Sequence, residues 1–141
     1  MRVLVFGAFD LLHLGHIRFL KWCARLGEVH VGLATDELVA DYKRQPIQSY
    51  EMRKAALIEL PWVHQVLRKT CHDAKPLIRQ VDPQLIVAGS DWYDSELLGG
   101  YLASIQTGIG YLEDHDIGLV FYPNDRLIST TKILEAVRER L

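Results

Sequence analysis

Two histidines and a nearby acid lie in a short glycine-containing segment that follows an apolar run. The run is VLVF at residues 3–6, and the segment GAFDLLHLGH contains Asp10, His13 and His16. The run is typical of a buried strand, and LGHIRFLKWCARLG, residues 14–27, is typical of an amphipathic helix. The histidines therefore lie at the cap and in the first turn of that helix, where unpaired N–H groups bind anions. At this spacing both imidazoles can donate hydrogen bonds to one bound phosphate.

The same segment has two other interpretations. His13 can cap the helix while His16 stays an ordinary surface residue, or the two histidines can be ligands of a zinc ion. The zinc hypothesis lacks a third ligand at helical spacing. Gly7 and Gly15 favour the anion hypothesis, because a residue without a Cβ lets backbone and ligand approach closely.

Short β-branched runs alternate with helix-like segments along the whole chain. The runs occupy residues 2–6, 28–34, 63–67, 85–89 and 117–122. The helical segments are 14–27, 49–60 capped by Ser49, 73–81 capped by Asp73, a broken helix over 94–115 interrupted by four glycines, and 129–141 with Ile133, Val137 and Leu141 at every fourth position. This alternation predicts a single α/β domain over residues 1–141, a Rossmann-like doubly wound five-stranded parallel sheet. Such sheets bind ligands beyond the carboxyl ends of their strands, where the strand order reverses. The histidine segment follows such a strand end.

The bulk composition argues against several classes of protein. The net charge of −2 gives no general attraction to nucleic acid or to an anionic membrane. The sequence contains no apolar run of the ~20 residues that a membrane span needs, and its first residues do not resemble a signal peptide. Cys23 and Cys71 are far apart and are expected to be reduced thiols of a cytoplasmic protein.

Two motifs resemble those of a known family. GAFDLLHLGH resembles the GxFDxxHxGH signature of the cytidylyltransferase-like nucleotidyltransferases, and ISTTKI (128–133) resembles their second signature, RTxGISTT. Between them, SYEMRKAAL (49–57) and VAGSDW (87–92) resemble two further family blocks in the same order. The likeness is greatest to the small bacterial glycerol-3-phosphate cytidylyltransferases. Adenylyltransferases and class I aminoacyl-tRNA synthetases share HxGH, but this sequence has neither a KMSKS-like loop nor an ISSTxxR ending.

The resemblance implies a reaction without a covalent intermediate. A phosphate oxygen of an acceptor attacks the α-phosphorus of CTP, pyrophosphate leaves, and a CDP-linked product remains. The implied acceptor is a small phosphorylated alcohol, glycerol 3-phosphate by the greatest likeness, with Mg²⁺ accompanying CTP and a homodimer as the assembly. The alternatives are the same chemistry on phosphoethanolamine, on a sugar phosphate or on FMN with ATP or CTP, and a catalytically weakened nucleotide-binding paralogue.

The resemblance also implies roles for individual residues. The implied catalytic residues are His13, His16, Lys43 and Arg126. The implied nucleotide-binding residues are Gly7, Ala8, Phe9, Asp10, Gly15, Asp91, Trp92, Ile128, Ser129 and Thr130. Arg44 and Arg53 are the implied acceptor-binding residues, and no protein ligand to a metal is expected.

Simpler roles remain open for several of these residues. Lys43 and Arg44 can be a solvated charge pair, and Arg53 can form an ion pair with Glu51 or Glu59 on a helix surface. Ser129 and Thr130 can serve only as helix caps, and Trp92 can belong to the core.

The sequence departs from the family pattern in positions that bear on the substrate. Pro61 and Asn124 stand where the family has arginines, Leu127 replaces a glycine, and Ser90 replaces an aspartate. Arg126 lies two residues after the position of the second missing arginine. These departures affect the identity of the acceptor more than the class of reaction, since the HxGH segment is intact.

Overall fold

Strands and helices alternate along the part of the chain that the computed structural model describes, which is residues 1–89, 97–123 and 130–141. The strands are β1 (Arg2–Gly7), β2 (Glu28–Ala34), β3 (Val63–Lys69), β4 (Leu85–Ala88) and β5 (Gly118–Phe121). The helices are α1 (Leu14–Ala24), α2 (Asp36–Tyr42), α3 (Tyr50–Ile58), α4 (Lys75–Val81), α5 (Leu97–Ser104), α6 (Ile109–Asp114) and α7 (Thr130–Arg140).

The five strands form one parallel sheet in the order β3-β2-β1-β4-β5. The chain moves outward from β1 through β2 to β3 and then returns to the other side of β1 to form β4. The order therefore reverses between β1 and β4, and the carboxyl ends of these strands border the point where doubly wound sheets bind ligands. The predicted fold class is confirmed.

Alternating side chains bury both faces of the sheet. Val3 and Val5 of β1 pack on the face covered by α1 and α3, whereas Leu4 packs on the face covered by α4, α5 and α6. Because successive strand residues point to opposite faces, an unbroken apolar run such as VLVF fits a strand covered on both sides. The burial of these side chains positions β1, and with it the segment that follows.

The helix predictions are mostly confirmed at their starts. Ser49 is the N-cap of α3, and its hydroxyl accepts a hydrogen bond from the Met52 N–H at 3.3 Å. The cap predicted for α4 is wrong by one residue. Ala74 is the N-cap, while the Asp73 carboxylate still accepts a hydrogen bond from the Lys75 N–H at 3.0 Å.

Helix α2 was not predicted. It contains only seven residues, and Thr35 caps it by accepting a hydrogen bond from the Leu38 N–H at 3.2 Å. Asp36 and Glu37 in its first turn suit the positive end of a helix dipole. This helix sets the starting point of the loop that carries Lys43.

The predicted broken helix over 94–115 consists of α5 and α6 in its described part. Gly108 is the N-cap of α6 and separates the two helices, whereas Gly99 and Gly100 lie within α5. The final helix α7 is present as predicted, and two residues of the periodic pattern face solvent, since Val137 is 51% exposed and Leu141 is fully exposed.

Two further predictions concern the chain as a whole. Cys23 is buried, Cys71 is exposed, and both are free thiols. Among the described residues, every helix is too short or too polar to cross a bilayer.

Candidate active site

The loop after β1 has a constrained backbone. Phe9 and Leu11 adopt left-handed conformations with φ values of 48° and 53°. A Cβ added at Gly7 would lie 2.8 Å from Cε2 of Phe9, whose ring is buried. The absence of a side chain at Gly7 therefore makes room for the Phe9 ring, which packs against His16 with ring centroids 5.4 Å apart. The approach of a ligand to Gly7 stays a prediction.

The two histidines cap α1 reciprocally. His13 is the N-cap, and its Nδ1 accepts a hydrogen bond from the Gly15 N–H at 3.0 Å. His16 reaches back, and its Nδ1 accepts one from the His13 N–H at 3.3 Å. A neutral imidazole whose Nδ1 is an acceptor carries its proton on Nε2. The capping contacts therefore fix both neutral rings in the tautomer that presents an Nε2–H donor.

The imidazoles lie against one another in a desolvated environment. Their ring centroids are 3.8 Å apart and their planes are nearly parallel, at 27°. Burial first, and then the nearby His13 and Lys43, together lower the pKa of His16 from 6.5 to about 3. His16 is therefore neutral at physiological pH and acts as a hydrogen-bond donor through Nε2 rather than as a cation.

Asp10 fastens a second loop to the first. Its carboxylate accepts hydrogen bonds from the N–H groups of Ile47 and Gln48, at 2.7 and 3.0 Å. The Gln48 side chain in turn accepts a hydrogen bond from the Leu11 N–H at 3.1 Å. These contacts hold the loop between α2 and α3 against the histidine segment. Asp10 thus positions the loops that surround the predicted phosphate pocket.

Two basic side chains come from that second loop. Arg44 Nη2 lies 3.8 Å from Oδ2 of Asp10, and the Nε and Nη2 atoms of Arg44 are buried without a hydrogen-bond partner among the described residues. Lys43, at the C-cap of α2, is close enough to lower the pKa of His16 by charge repulsion. Arg44 therefore lies beside Asp10 of the histidine segment, and Lys43, although exposed, lies near His16. Their contact with a bound anion stays a prediction.

The start of α7 reaches the same place from the other end of the chain. Thr130 is buried, and its hydroxyl donates a hydrogen bond to the carbonyl oxygen of Asp10 at 2.6 Å. This contact spans 120 residues of sequence. It brings the first turn of α7 beside the HxGH segment, so the two sequence motifs meet beyond the carboxyl end of β1.

Arg53 lies beneath the site. It is completely buried, and its guanidinium donates hydrogen bonds to the carbonyl oxygens of Gln48, Ala8 and Ala34 at 3.0, 2.8 and 2.9 Å. It also pairs with Asp36 at 2.6 Å. The guanidinium joins the ends of β1 and β2 to the loop before α3, and it holds the carbonyl of Ala8, one of the predicted nucleotide-binding residues.

These contacts correct one hypothesis about Arg53. The proposed surface ion pair with Glu51 or Glu59 is wrong, because Arg53 is inaccessible and Glu51 pairs instead with Arg68 at 3.1 Å. Contact between Arg53 and an acceptor phosphate stays a prediction, and the burial favours a positioning role. Gln48 and Asp36, which complete this network, were not singled out in the sequence, where they carry no motif signal.

Five of the predicted site residues lie outside the described residues. They are Asp91, Trp92, Arg126, Ile128 and Ser129. Their roles remain predictions.

The described geometry can bind and polarise a phosphoryl group. A helix N-terminus, two fixed imidazole N–H donors and two cations lie together beyond the carboxyl end of β1. Donors held in place before a reaction stabilise charge that develops on phosphoryl oxygens without further reorganisation. The site therefore suits transfer of a phosphorus-centred group.

Comparison with known proteins defines the class. The cytidylyltransferase-like family model matches residues 4–136, nearly the whole chain. The chain belongs to this family, and it is a nucleotidyltransferase.

Individual relatives differ in the substrates that their names imply. The chain is 31% identical to glycerol-3-phosphate cytidylyltransferase of Bacillus subtilis over 96% of both chains. It is 35% identical to FAD synthase of Pyrococcus horikoshii, over 99% of this chain and 93% of that one. It is 32% identical to the bifunctional protein HldE of Vibrio cholerae over 96% of this chain, which matches only 27% of that protein.

A solved structure has the same fold. The lipopolysaccharide core biosynthesis protein of Thermoplasma volcanium superimposes with a TM-score of 0.72 at 28% identity, covering 88% of this chain and 97% of that one.

Proposed function

We propose that this nucleotidyltransferase transfers a cytidylyl group from CTP to glycerol 3-phosphate, a small phosphorylated alcohol, giving a CDP-linked product and pyrophosphate. The observation that carries the proposal is the meeting of the stacked His13–His16 pair with the first turn of α7, through Thr130 and Asp10. Similarity to glycerol-3-phosphate cytidylyltransferase of Bacillus subtilis along the whole chain supports this acceptor.

In the proposed reaction, an oxygen of the acceptor phosphate attacks the α-phosphorus of CTP while the bond to pyrophosphate breaks. The Nε2–H groups of His13 and His16 donate hydrogen bonds to α-phosphate oxygens as charge develops on them. His16 holds its proton throughout, since its low pKa leaves no second proton to give at neutral pH. Lys43 and Arg44 offset the negative charge of the phosphates, and Ser129 and Thr130 bind the triphosphate at the second helix N-terminus.

Magnesium fits this site as a partner of the nucleotide. The Asp10 carboxylate is engaged by backbone N–H groups, which leaves the phosphates themselves and water as the principal oxygen ligands. When bound, the ion neutralises charge on the triphosphate and on the departing pyrophosphate.

A second candidate is adenylyl transfer from ATP to FMN. The similarity to FAD synthase of Pyrococcus horikoshii covers the chain at a somewhat higher identity. The HxGH chemistry is the same, because FMN also presents a phosphate oxygen to an α-phosphorus. The two candidates differ only in the base and in the group behind the acceptor phosphate.

Pyrophosphate release over a matrix of substrates tests both candidates. CTP and ATP are each combined with glycerol 3-phosphate, phosphoethanolamine, a sugar phosphate and FMN. Turnover with CTP and glycerol 3-phosphate is the expected result, and turnover with only ATP and FMN would replace it by the second candidate. Nucleotide binding without turnover on any acceptor would point to a weakened paralogue.

Matched variants connect turnover to the site. We expect His16→Gln, which keeps an acceptor for the His13 N–H but moves the side-chain donor, to lower kcat about a hundredfold or more. The control His115→Ala changes a surface histidine whose Nδ1 hydrogen-bonds to the Tyr111 carbonyl oxygen of its own helix, and it should retain full turnover. Equal rates in the two variants would exclude a catalytic role for His16.

The likeness to small cytidylyltransferases also supports a homodimer acting in the cytoplasm. Light scattering of the purified protein should give about twice the chain mass of 16.1 kDa. A monomeric mass at working concentration would contradict the dimer and leave the chemistry unaffected.

A further inference from the structure

A second cluster of histidine and carboxylate side chains lies toward the amino-terminal ends of the strands, whereas the HxGH segment lies at their carboxyl ends. It consists of Glu28 and His30 of β2 and His64 of β3, whose ligand atoms all lie within 4.8 Å of one another. Glu28 aligns with Arg2 at the start of β1, whereas the HxGH segment follows Gly7 at its end. At ~3.3 Å per strand residue the two sites are separated by roughly 17 Å along the sheet.

An irregularity in the strand pairing creates the cluster. Glu28 and His30 are two residues apart on one strand and so share a face of the sheet. Val29 pairs with Val63, but His30 pairs with Gln65, so His64 is an extra residue in β3 at a β-bulge. A bulge redirects the side chain of its extra residue. Here the His64 ring lies 5.0 Å from the His30 ring, and its Nδ1 is 3.9 Å from a Glu28 oxygen.

The hydrogen bonding of His30 is that expected of a metal-binding histidine. Its Nδ1 hydrogen-bonds to Gln65 Oε1 at 2.9 Å, and that oxygen can only accept. Nδ1 therefore carries a proton, and in the neutral ring Nε2 has a lone pair. The His30 side chain is only 7% exposed, and its Nε2 is buried 3.7 Å from Oε1 of Glu28, without a hydrogen-bond partner in the described part of the chain. Metal-binding histidines typically donate their other N–H to an oxygen in this way.

We propose that Glu28, His30 and His64 bind a divalent transition-metal ion of the zinc type, with water completing the coordination. Ligand atoms in a tetrahedral zinc site lie about 3.4 Å from one another, since each is ~2.0–2.2 Å from the ion. Nε2 of His30 and Nδ1 of His64 lie 3.7 and 3.9 Å from different oxygens of Glu28, and one ligand atom from each residue lies within 4.8 Å of the other two, so side-chain rotations can bring the three to that value. Two imidazole nitrogens and one carboxylate select zinc, cobalt or nickel over magnesium, which prefers oxygen ligands.

The placement indicates a structural consequence. β3 is one of the two edge strands of the sheet, and the ion would link its bulge to the first residues of β2. Glu28 and His64 are each about half exposed, which leaves the ion a route from solvent. Bound metal stabilises the folded chain over the unfolded chain by mass action.

Cobalt titration of the chelator-treated protein tests the site, because tetrahedral Co²⁺ has intense visible absorption that the hexaaqua ion lacks. We expect one equivalent of Co²⁺ to produce that spectrum and Zn²⁺ to displace it, with a rise in the unfolding temperature. His64→Ala and Glu28→Gln alter exposed side chains and should weaken binding at least about a hundredfold. Gln65→Ala, which removes the partner of Nδ1, should weaken it by roughly ten- to a hundredfold.

Two control variants assign the signal to this cluster. His115→Ala removes an unrelated surface histidine, and His16→Gln removes one of the paired imidazoles beyond the carboxyl end of β1. Both should retain the full cobalt spectrum. Absence of the tetrahedral spectrum in the wild-type protein, its survival in His64→Ala, or its loss in His16→Gln would overturn the proposal.

Discussion

Replacing His16 by glutamine should flatten the dependence of stability on pH. The folded protein holds His16 neutral down to a pKa of about 3, whereas the unfolded chain has the ordinary value of 6.5. Between these values the unfolded state binds one more proton, so acidification lowers the free energy of unfolding. As the pH rises above about 6.5 the unfolded histidine also loses its proton, and the effect fades.

The magnitude follows from the linkage relation. One proton changes the free energy of unfolding by about 1.4 kcal/mol per pH unit, and the unfolded histidine is only partly charged at pH 7. From pH 7 to pH 5, His16 should therefore lower stability by about 2 kcal/mol. Glutamine at this third helical position still accepts the N-cap hydrogen bond but does not titrate.

Urea unfolding of both proteins at pH 7 and pH 5 measures the effect. The wild-type protein should lose about 2 kcal/mol more than His16→Gln over this interval, since all other titrating groups are common to both. An equal loss in the two proteins would refute the conclusion that the fold holds the partly buried His16 in its neutral form.

Three further substitutions probe the contacts that assemble the site. Arg53→Lys should lower the free energy of unfolding by about 3–5 kcal/mol, because lysine cannot replace four directed contacts of a buried cation. A loss below about 1 kcal/mol, measured by urea unfolding, would contradict the positioning role. Thr130→Val keeps the side-chain shape but removes the hydrogen bond to the Asp10 carbonyl, so it should lower the free energy of unfolding by about 1 kcal/mol and raise the KM for the nucleotide. An unchanged KM would show that this contact of α7 does not affect nucleotide binding. Gly7→Ala places a methyl group 2.8 Å from the Phe9 ring and should cost about 1–3 kcal/mol in thermal unfolding, whereas unchanged stability would show that the ring has room to move.

The fold was predictable because its signals are local. Each strand is a short β-branched run, and the helix between β1 and β2 has an apolar stripe and a capping residue at its start. Helix α2 was missed because seven residues hold too little periodicity to compete with a loop assignment. Its signals were the capping Thr35 and the acids that follow it.

The site was predictable as a set of motifs but not as a network. The role of Asp10 in fastening the loop at Ile47 and Gln48 depends on how two distant loops meet, which no local pattern encodes. Arg53 shows the same limit, since an arginine in a polar helix looks exposed in sequence and is completely buried in the fold.

The cluster of Glu28, His30 and His64 is a further example of contacts that no local sequence pattern predicts. His64 meets His30 only because a bulge displaces one residue of β3, and the spacing of the two histidines in the sequence gives no sign of it.

A crystal structure of the protein with CTP and Mg²⁺ but without acceptor tests the central claim most directly. It should place an α-phosphate oxygen within about 3.2 Å of Nε2 of His13 or His16, with the triphosphate between the first turns of α1 and α7. A triphosphate bound away from both helix ends, with the imidazoles still capping α1 and contacting no phosphate, would contradict it.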